Sequence, residues 1–213
     1  MKAGSSCEPS FSELIAAIVA GDDRAALSML DAEPALSKER AGSGATRQHA
    51  QPSFFEPIRH YIYAGDTALH MAAAAFRPGL VDALITKGAE LRARNRRGAE
   101  PLHYAVDGGP GVPAWDPAAQ AKIIARLIRA GADPNALDRS GVAPLHRAVR
   151  NRCADAVAAL LAGRADPRAP TGKGSTPMRL AIGSSGKSGA GSEAAKAQQA
   201  RIVQILRDHG ATD

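Results

Sequence analysis

Thr67-Ala68-Leu69-His70-Met71, Glu100-Pro101-Leu102-His103-Tyr104, Ala143-Pro144-Leu145-His146-Arg147 and Thr176-Pro177-Met178-Arg179-Leu180 are four versions of one phrase. A glycine stands two residues before each, at Gly65, Gly98, Gly141 and Gly174, and the spacings are 33, 43 and 33 residues. Recurrence at this period marks stacked supersecondary units and fixes the architecture before any other motif is weighed. It also turns attention from a cleft that houses a reaction to an extended surface.

Within the unit from Gly141 to Lys173, Ala143-Pro144 opens a helix with Pro in its first turn, where the missing N–H costs nothing. Leu145, Ala148 and Val149 give that helix one apolar face, and it fades near Asn151-Arg152. A second helix carries Ala156, Val157, Leu160 and Leu161 at helical spacing and stops at Gly163. The other units follow the same plan: Leu69, Ala72 and Ala73 with Leu80, Val81, Leu84 and Ile85; Leu102, Ala105 and Val106 with Ile123, Ile124, Leu127 and Ile128; Leu180-Ala181-Ile182 with Ile202, Val203, Ile205 and Leu206. Neither helix of a pair can cover its own stripe, so the units must stack.

Bulk properties agree with thin, closely packed helices. The 213 residues are 45% hydrophobic but only 4% aromatic. The formal net charge of +6 favours acidic partners. Cys7 and Cys153 fit no zinc or disulfide spacing, which reads as a reduced, intracellular chain. The apolar stretch Leu14 to Ala20 is too short to span a bilayer, so a soluble, cytoplasmic protein is expected.

The unit resembles the ankyrin repeat, a β-turn finger followed by a short inner helix, a loop and a longer outer helix. Ala143-Pro144-Leu145-His146 and Gly131-Ala132-Asp133-Pro134-Asn135 carry the likeness. The implied fold is an all-α solenoid of helix-turn-helix units with β-turn fingers. On that reading residues 1–10 are a flexible tail, 11–36 a degenerate N-terminal capping repeat and 37–64 a long first finger. Four repeats follow at 65–97, 98–140, 141–173 and 174–213. The second and fourth carry inserts near 107–119 and 183–197, expected as loops on the edge opposite the fingers. Heavy Ala and Arg usage with unequal fingers suggests a bacterial chain, where related repeat proteins range from regulators to secreted effectors.

The resemblance implies that His70, His103 and His146 are structural, each buried and bonded to its own motif and to the neighbouring repeat. Stacking also sets them roughly 10 Å apart, too far to share a metal. Arg179 replaces the last of these histidines, and Glu100 and Ala143 replace the motif Thr, so this network is expected to be incomplete. Gly183-Ser184-Ser185-Gly186-Lys187-Ser188 has a passing likeness to a phosphate-binding loop, but Ala181 stands where that motif needs Gly, and a helix precedes it. His49 and His60 lie in the first finger with no nucleophile in view. No catalytic constellation, metal site or cofactor is expected.

Binding in the resembled family uses finger tips and the concave face. The corresponding candidates here are Tyr63, Asp66, Arg94, Arg96, Arg97, Asp107, Arg139, Arg150, Asn151 and Lys173, with Trp115 as a further anchor. Arg96, Arg139 and Lys173 are expected to align in a row with Arg150 beneath. A solvated charged edge is the competing reading of that row, and Trp115 folded back on its outer helix competes with Trp115 as an anchor. The expected function is non-catalytic protein binding by a monomer, with an acidic partner surface. Nucleic-acid binding by the basic row and an enzyme accessory using the insert edge are the alternatives. The first lacks the interleaved aromatics of single-strand binders.

Overall fold

Proline at the start of a helix, where its φ suits the first turn, opens five of the ten α-helices in the computed structural model, which describes residues 9–113, 115–183 and 192–212. The helices are α1 (Phe11–Ala20), α2 (Asp23–Ala32), α3 (Ala68–Ala74), α4 (Pro78–Thr86), α5 (Pro101–Ala105), α6 (Pro117–Ala130), α7 (Pro144–Arg150), α8 (Ala154–Ala162), α9 (Pro177–Ile182) and α10 (Glu193–Asp208). Side-chain caps close several of the other starts. Ser10 and Glu13 form a reciprocal capping box on α1, and Asp22 accepts from the Ala25 amide.

The odd-numbered helices form an inner layer and the even-numbered ones an outer layer, each packed on its neighbours along the stack. Ala68, Ala72, Ala73, Ala105 and Ala148 are fully buried, and their small size lets the inner helices approach closely. Between the layers run Leu69, Leu80, Leu84, Leu102, Ile123, Ile124, Leu127, Leu145, Val157, Leu160, Ile202 and Leu206 in one continuous cluster. Each such side chain contributes on the order of 2 kcal/mol by leaving water, which no isolated pair could collect. The fold is an all-α repeat solenoid.

The motif histidines pin one unit to the next. Each Nδ1 accepts a backbone N–H from the first residue of its own phrase: Thr67 to His70 at 3.1 Å, Glu100 to His103 at 3.1 Å and Ala143 to His146 at 3.0 Å. An Nδ1 that accepts must be bare, so Nε2 carries the hydrogen. It donates to the next unit's backbone, to Ala99, Val142 and Ala169 at 3.2, 3.1 and 2.8 Å. The contact uses main-chain donors, so it survives the loss of Thr at positions 100 and 143. The network expected to be incomplete at those positions is intact there, and only Arg179 lacks the ring. Thr67 adds a hydroxyl contact to His70 at 3.0 Å, whereas Glu100 is buried with Oε2 lacking a hydrogen-bond partner, and burial pushes its carboxyl up.

A second periodic device shapes the fingers. Three residues before Gly98, Gly141 and Gly174, Asn95, Asp138 and Thr171 each accept from two backbone amides on their own turn. The fingers then lie one on another, with Arg96 donating to the Ala64 carbonyl and Arg139 to that of Arg97. At the last junction a Cβ on Gly141 would come within 2.7 Å of Gly172, a distance only glycine tolerates.

Three expectations need correction. Residues 37–64 are not a plain loop: they contain a 3-10 turn at 51–53, an antiparallel pair β1 (Phe54–Phe55) and β2 (His60–Tyr61), and a second 3-10 turn between the strands. The inserts are not wholly loops either, since residues 117–119 and 193–197 extend α6 and α10 by added helical turns. Extra residues that continue a helix satisfy their own backbone groups. Most of the phosphate-loop-like stretch, at 184–191, and most of the N-terminal tail, at 1–8, lie outside the described residues. The finger row is also out of step. Gly spacing places Lys173 with Ser140 and Arg97, so it does not continue from Arg96 and Arg139.

Burial holds all three motif histidines below the usual imidazole range, His103 down to about 4. The folded state therefore favours the neutral ring. Its contribution is complete above the ordinary histidine value near 6.5 and is lost as pH falls toward about 4. His103 alone is expected to cost about 2 kcal/mol by about pH 5, before most carboxylates titrate. Urea midpoints compared between neutral pH and about pH 5 check this; an unchanged midpoint contradicts it.

Candidate functional site

The long first finger folds back over the concave face. There β2 meets the ends of α5 and α7 and encloses a cavity of about 340 Å³. Tyr61, Tyr63, Arg97, Asp107, Arg147 and Asn151 are among the residues that line it. Below this floor lies a buried polar network. Asp66 accepts from the Tyr63 amide at 2.6 Å, the Asn95 side-chain amide at 2.8 Å and the Tyr104 hydroxyl at 2.7 Å. Burial, reinforced by the Asp66 charge, pushes the Tyr104 phenol up, so it remains a donor.

The second layer of the site is a chain of charges across the repeats. Arg147 on α7 donates to Asp107 at 3.2 Å and to Asp138 at 2.9 Å. His60 on β2 reaches the same Asp107 oxygen through Nε2 at 3.0 Å, while its Nδ1 faces the Tyr61 carbonyl at 2.8 Å. Both His60 partners are acceptors, so both contacts are hydrogen bonds only when both ring nitrogens carry hydrogen. The His60 ring also lies 4.4 Å from that of Tyr104. Burial pushes the Asp107 carboxyl up, but Arg147 and His60 outweigh it and hold it below the usual carboxylate range. His60 thus clasps the hairpin to the stack.

The candidates from the sequence fall into distinct groups. Tyr63, Arg97, Asp107 and Asn151 meet at this cavity. Arg96, Arg97 and Arg139 line an adjoining open cleft between two finger tips. Arg96 and Arg97 both lie over the Tyr63 ring, at 5.7 and 5.2 Å from its centre, and Arg97 donates to its hydroxyl at 3.0 Å. Arg150 and Lys173 are exposed farther along the stack.

Others are committed to partners within the protein. Asp66 is fully buried and cannot touch a partner, because three internal donors occupy its carboxylate. Arg94 spends its guanidinium on the Gly98 and Leu137 carbonyls, bracing one finger on the next. Asn151 gives its amide to the Val106 carbonyl at 2.9 Å. Trp115 is folded inward: its indole N–H donates to Gln120 on α6 at 3.0 Å and its ring packs on the core. Sequence reasoning missed the parts that His60 and Tyr61 play. Their roles depend on a hairpin that no repeat period announces. Asn95 was legible, since Asp138 and Thr171 hold its place in the following fingers.

Reactive side chains are scarce here. Cys153 is buried, donates to the Gly108 carbonyl, and burial pushes its thiol up to about 12. Among the described residues no group of three His, Cys, Asp or Glu is placed to hold a metal, and no helix is long and apolar enough to cross a membrane.

Stacked helix pairs joined by turn-like fingers and pinned by imidazoles define a repeat solenoid. The ankyrin repeat model matches residues 64–96, and a model for ankyrin repeats in many copies matches residues 127–181. The chain contains ankyrin repeats. No curated protein matches it.

Asp66→Ala is expected to destabilise the protein by about 2–4 kcal/mol, because it strands the Tyr104 hydroxyl and the Asn95 amide without a partner. Asp66→Asn, which keeps one acceptor, should cost less. Chemical denaturation of the two variants reads the difference; equal and negligible losses would show that the network adds nothing.

Proposed function

We propose that this protein is a non-catalytic scaffold that holds an acidic surface of a protein partner against its finger tips and concave face. Ankyrin repeats generally serve as protein–protein interaction modules, and the observation that carries the finer reading is how charge is sorted across the stack. Between outer helices, cations meet carboxylates: Lys87 pairs with Asp31, Arg126 with Asp82 and Arg201 with Asp155. Toward the finger tips three acids turn inward, while Glu90 and Asp133 nearer the outer helices are paired with Arg40 and Arg92. Asp66, Glu100 and Asp138 have side-chain exposures of 0%, 3% and 8%. Arg96, Arg97, Arg139, Arg150 and Lys173 are exposed there and form no ion pair among the described residues.

Guanidinium groups without counter-charge suit carboxylates, which they grip through two parallel hydrogen bonds. The rigid stack presents them with little ordering cost on association. Burial and neutrality of the motif histidines, together with the inert Cys153, support a role without covalent or acid–base chemistry.

Arg96→Glu combined with Arg139→Glu reverses the exposed charge without touching the histidine ladder. Recovery of the partner in affinity capture from the source lysate is expected to fall by at least about tenfold, roughly one lost charge-assisted contact. Capture by the unaltered protein should also weaken as salt rises. Undiminished recovery by the reversed variant would sink the proposal.

A further inference from the structure

The tip cleft and the enclosed cavity share Arg97, and the unspent positive charge of the cavity rests on that one residue. Arg147, also in its wall, is neutralised by Asp107 and Asp138. Arg59 lies beside Glu56 at 3.4 Å. Arg97 has no carboxylate partner among the described residues. One of its terminal nitrogens donates to the Tyr63 hydroxyl, and the guanidinium lies over the ring face, which aligns it while leaving further N–H donors unspent. The Tyr63 oxygen accepts that bond and keeps its own hydrogen to give.

We propose that the cavity takes the side-chain carboxylate of an acidic residue in an extended segment of the partner, anchored by Arg97 and the Tyr63 hydroxyl. This rests on the scaffold reading and narrows it from an acidic surface to one inserted residue. The lining also includes Ile58 and Tyr61, whose apolar surface suits the methylenes of a glutamate. A volume of about 340 Å³ exceeds one such side chain, leaving room for adjoining main chain. A free small acid would use only the pocket. A chain can also lay further acids on Arg96 and Arg139 in the adjoining cleft, so continuity of the two spaces favours a polypeptide.

The probe is the blocked tripeptide acetyl-Gly-Glu-Gly-amide, titrated into the full chain and followed by NMR at Tyr61, Tyr63 and the Arg97 side chain. Saturable shifts are expected, with the Gln counterpart binding about tenfold more weakly. They should vanish in Arg97→Met, whose other resonances stay in place. Absence of saturation, equal response to the Gln peptide, persistence in Arg97→Met, or binding of free glutarate without the peptide would each overturn the proposal. Partner capture separates the two readings: if Arg96→Glu with Arg139→Glu abolishes it while Arg97→Met leaves it unchanged, the scaffold stands and the inserted carboxylate falls.

Discussion

An imidazole that accepts at Nδ1 and donates at Nε2 has both ring positions committed, and three such rings link successive repeats of this protein. Each replaces water at one amide of its own helix start and one carbonyl of the next unit, both groups that would be costly to bury unpaired. The rest of the stack depends on that junction. Inner helices of only five to seven residues from α3 to α9 have little stability of their own. They persist because the ring holds them at the distance where the apolar stripes of both layers close.

The same two amino-acid types do opposite work in different places. His70, His103 and His146 are neutral ties inside the stack, whereas His60 sits between the Asp107 carboxylate and the Tyr61 carbonyl at the groove. Arg94 and Arg147 brace neighbouring units, while Arg96, Arg97 and Arg139 remain without counter-charge. Residue type says little here. What separates these side chains is whether the neighbouring finger or helix supplies a carbonyl or carboxylate within reach. Asp66 and Asp138 drawn inward and Arg96, Arg97 and Arg139 left outward leave unpaired cations at these finger tips.

Departures from the regular repeat build the pocket on the concave face. The lengthened first finger supplies a hairpin wall, and Asp107, at the end of the short α5, supplies the anion that holds it through His60. Ordinary fingers of a few residues could not reach across the groove. A long connection inside a repeat array costs little in closure entropy, and here it converts an open surface into a pocket.

Much of the architecture was legible in the chain itself. Four copies of one phrase at fixed distance from a glycine, with apolar residues at helical spacing, determine paired helices and their stacking, because those features depend on local periodicity; the resemblance to the ankyrin repeat implied the burial of the motif histidines. The finger-capping position at Asn95, Asp138 and Thr171 is equally periodic. What only the tertiary structure decided is aperiodic. Asp66 is internal because Tyr104 from the next repeat and Asn95 from the following finger converge on it, and Trp115 turns inward because Gln120 waits one turn into α6. His60 belongs to the pocket because a hairpin carries it across the groove. The contacts of Asp66 and His60 join residues far apart in sequence, and no spacing along one chain encodes which of them will meet.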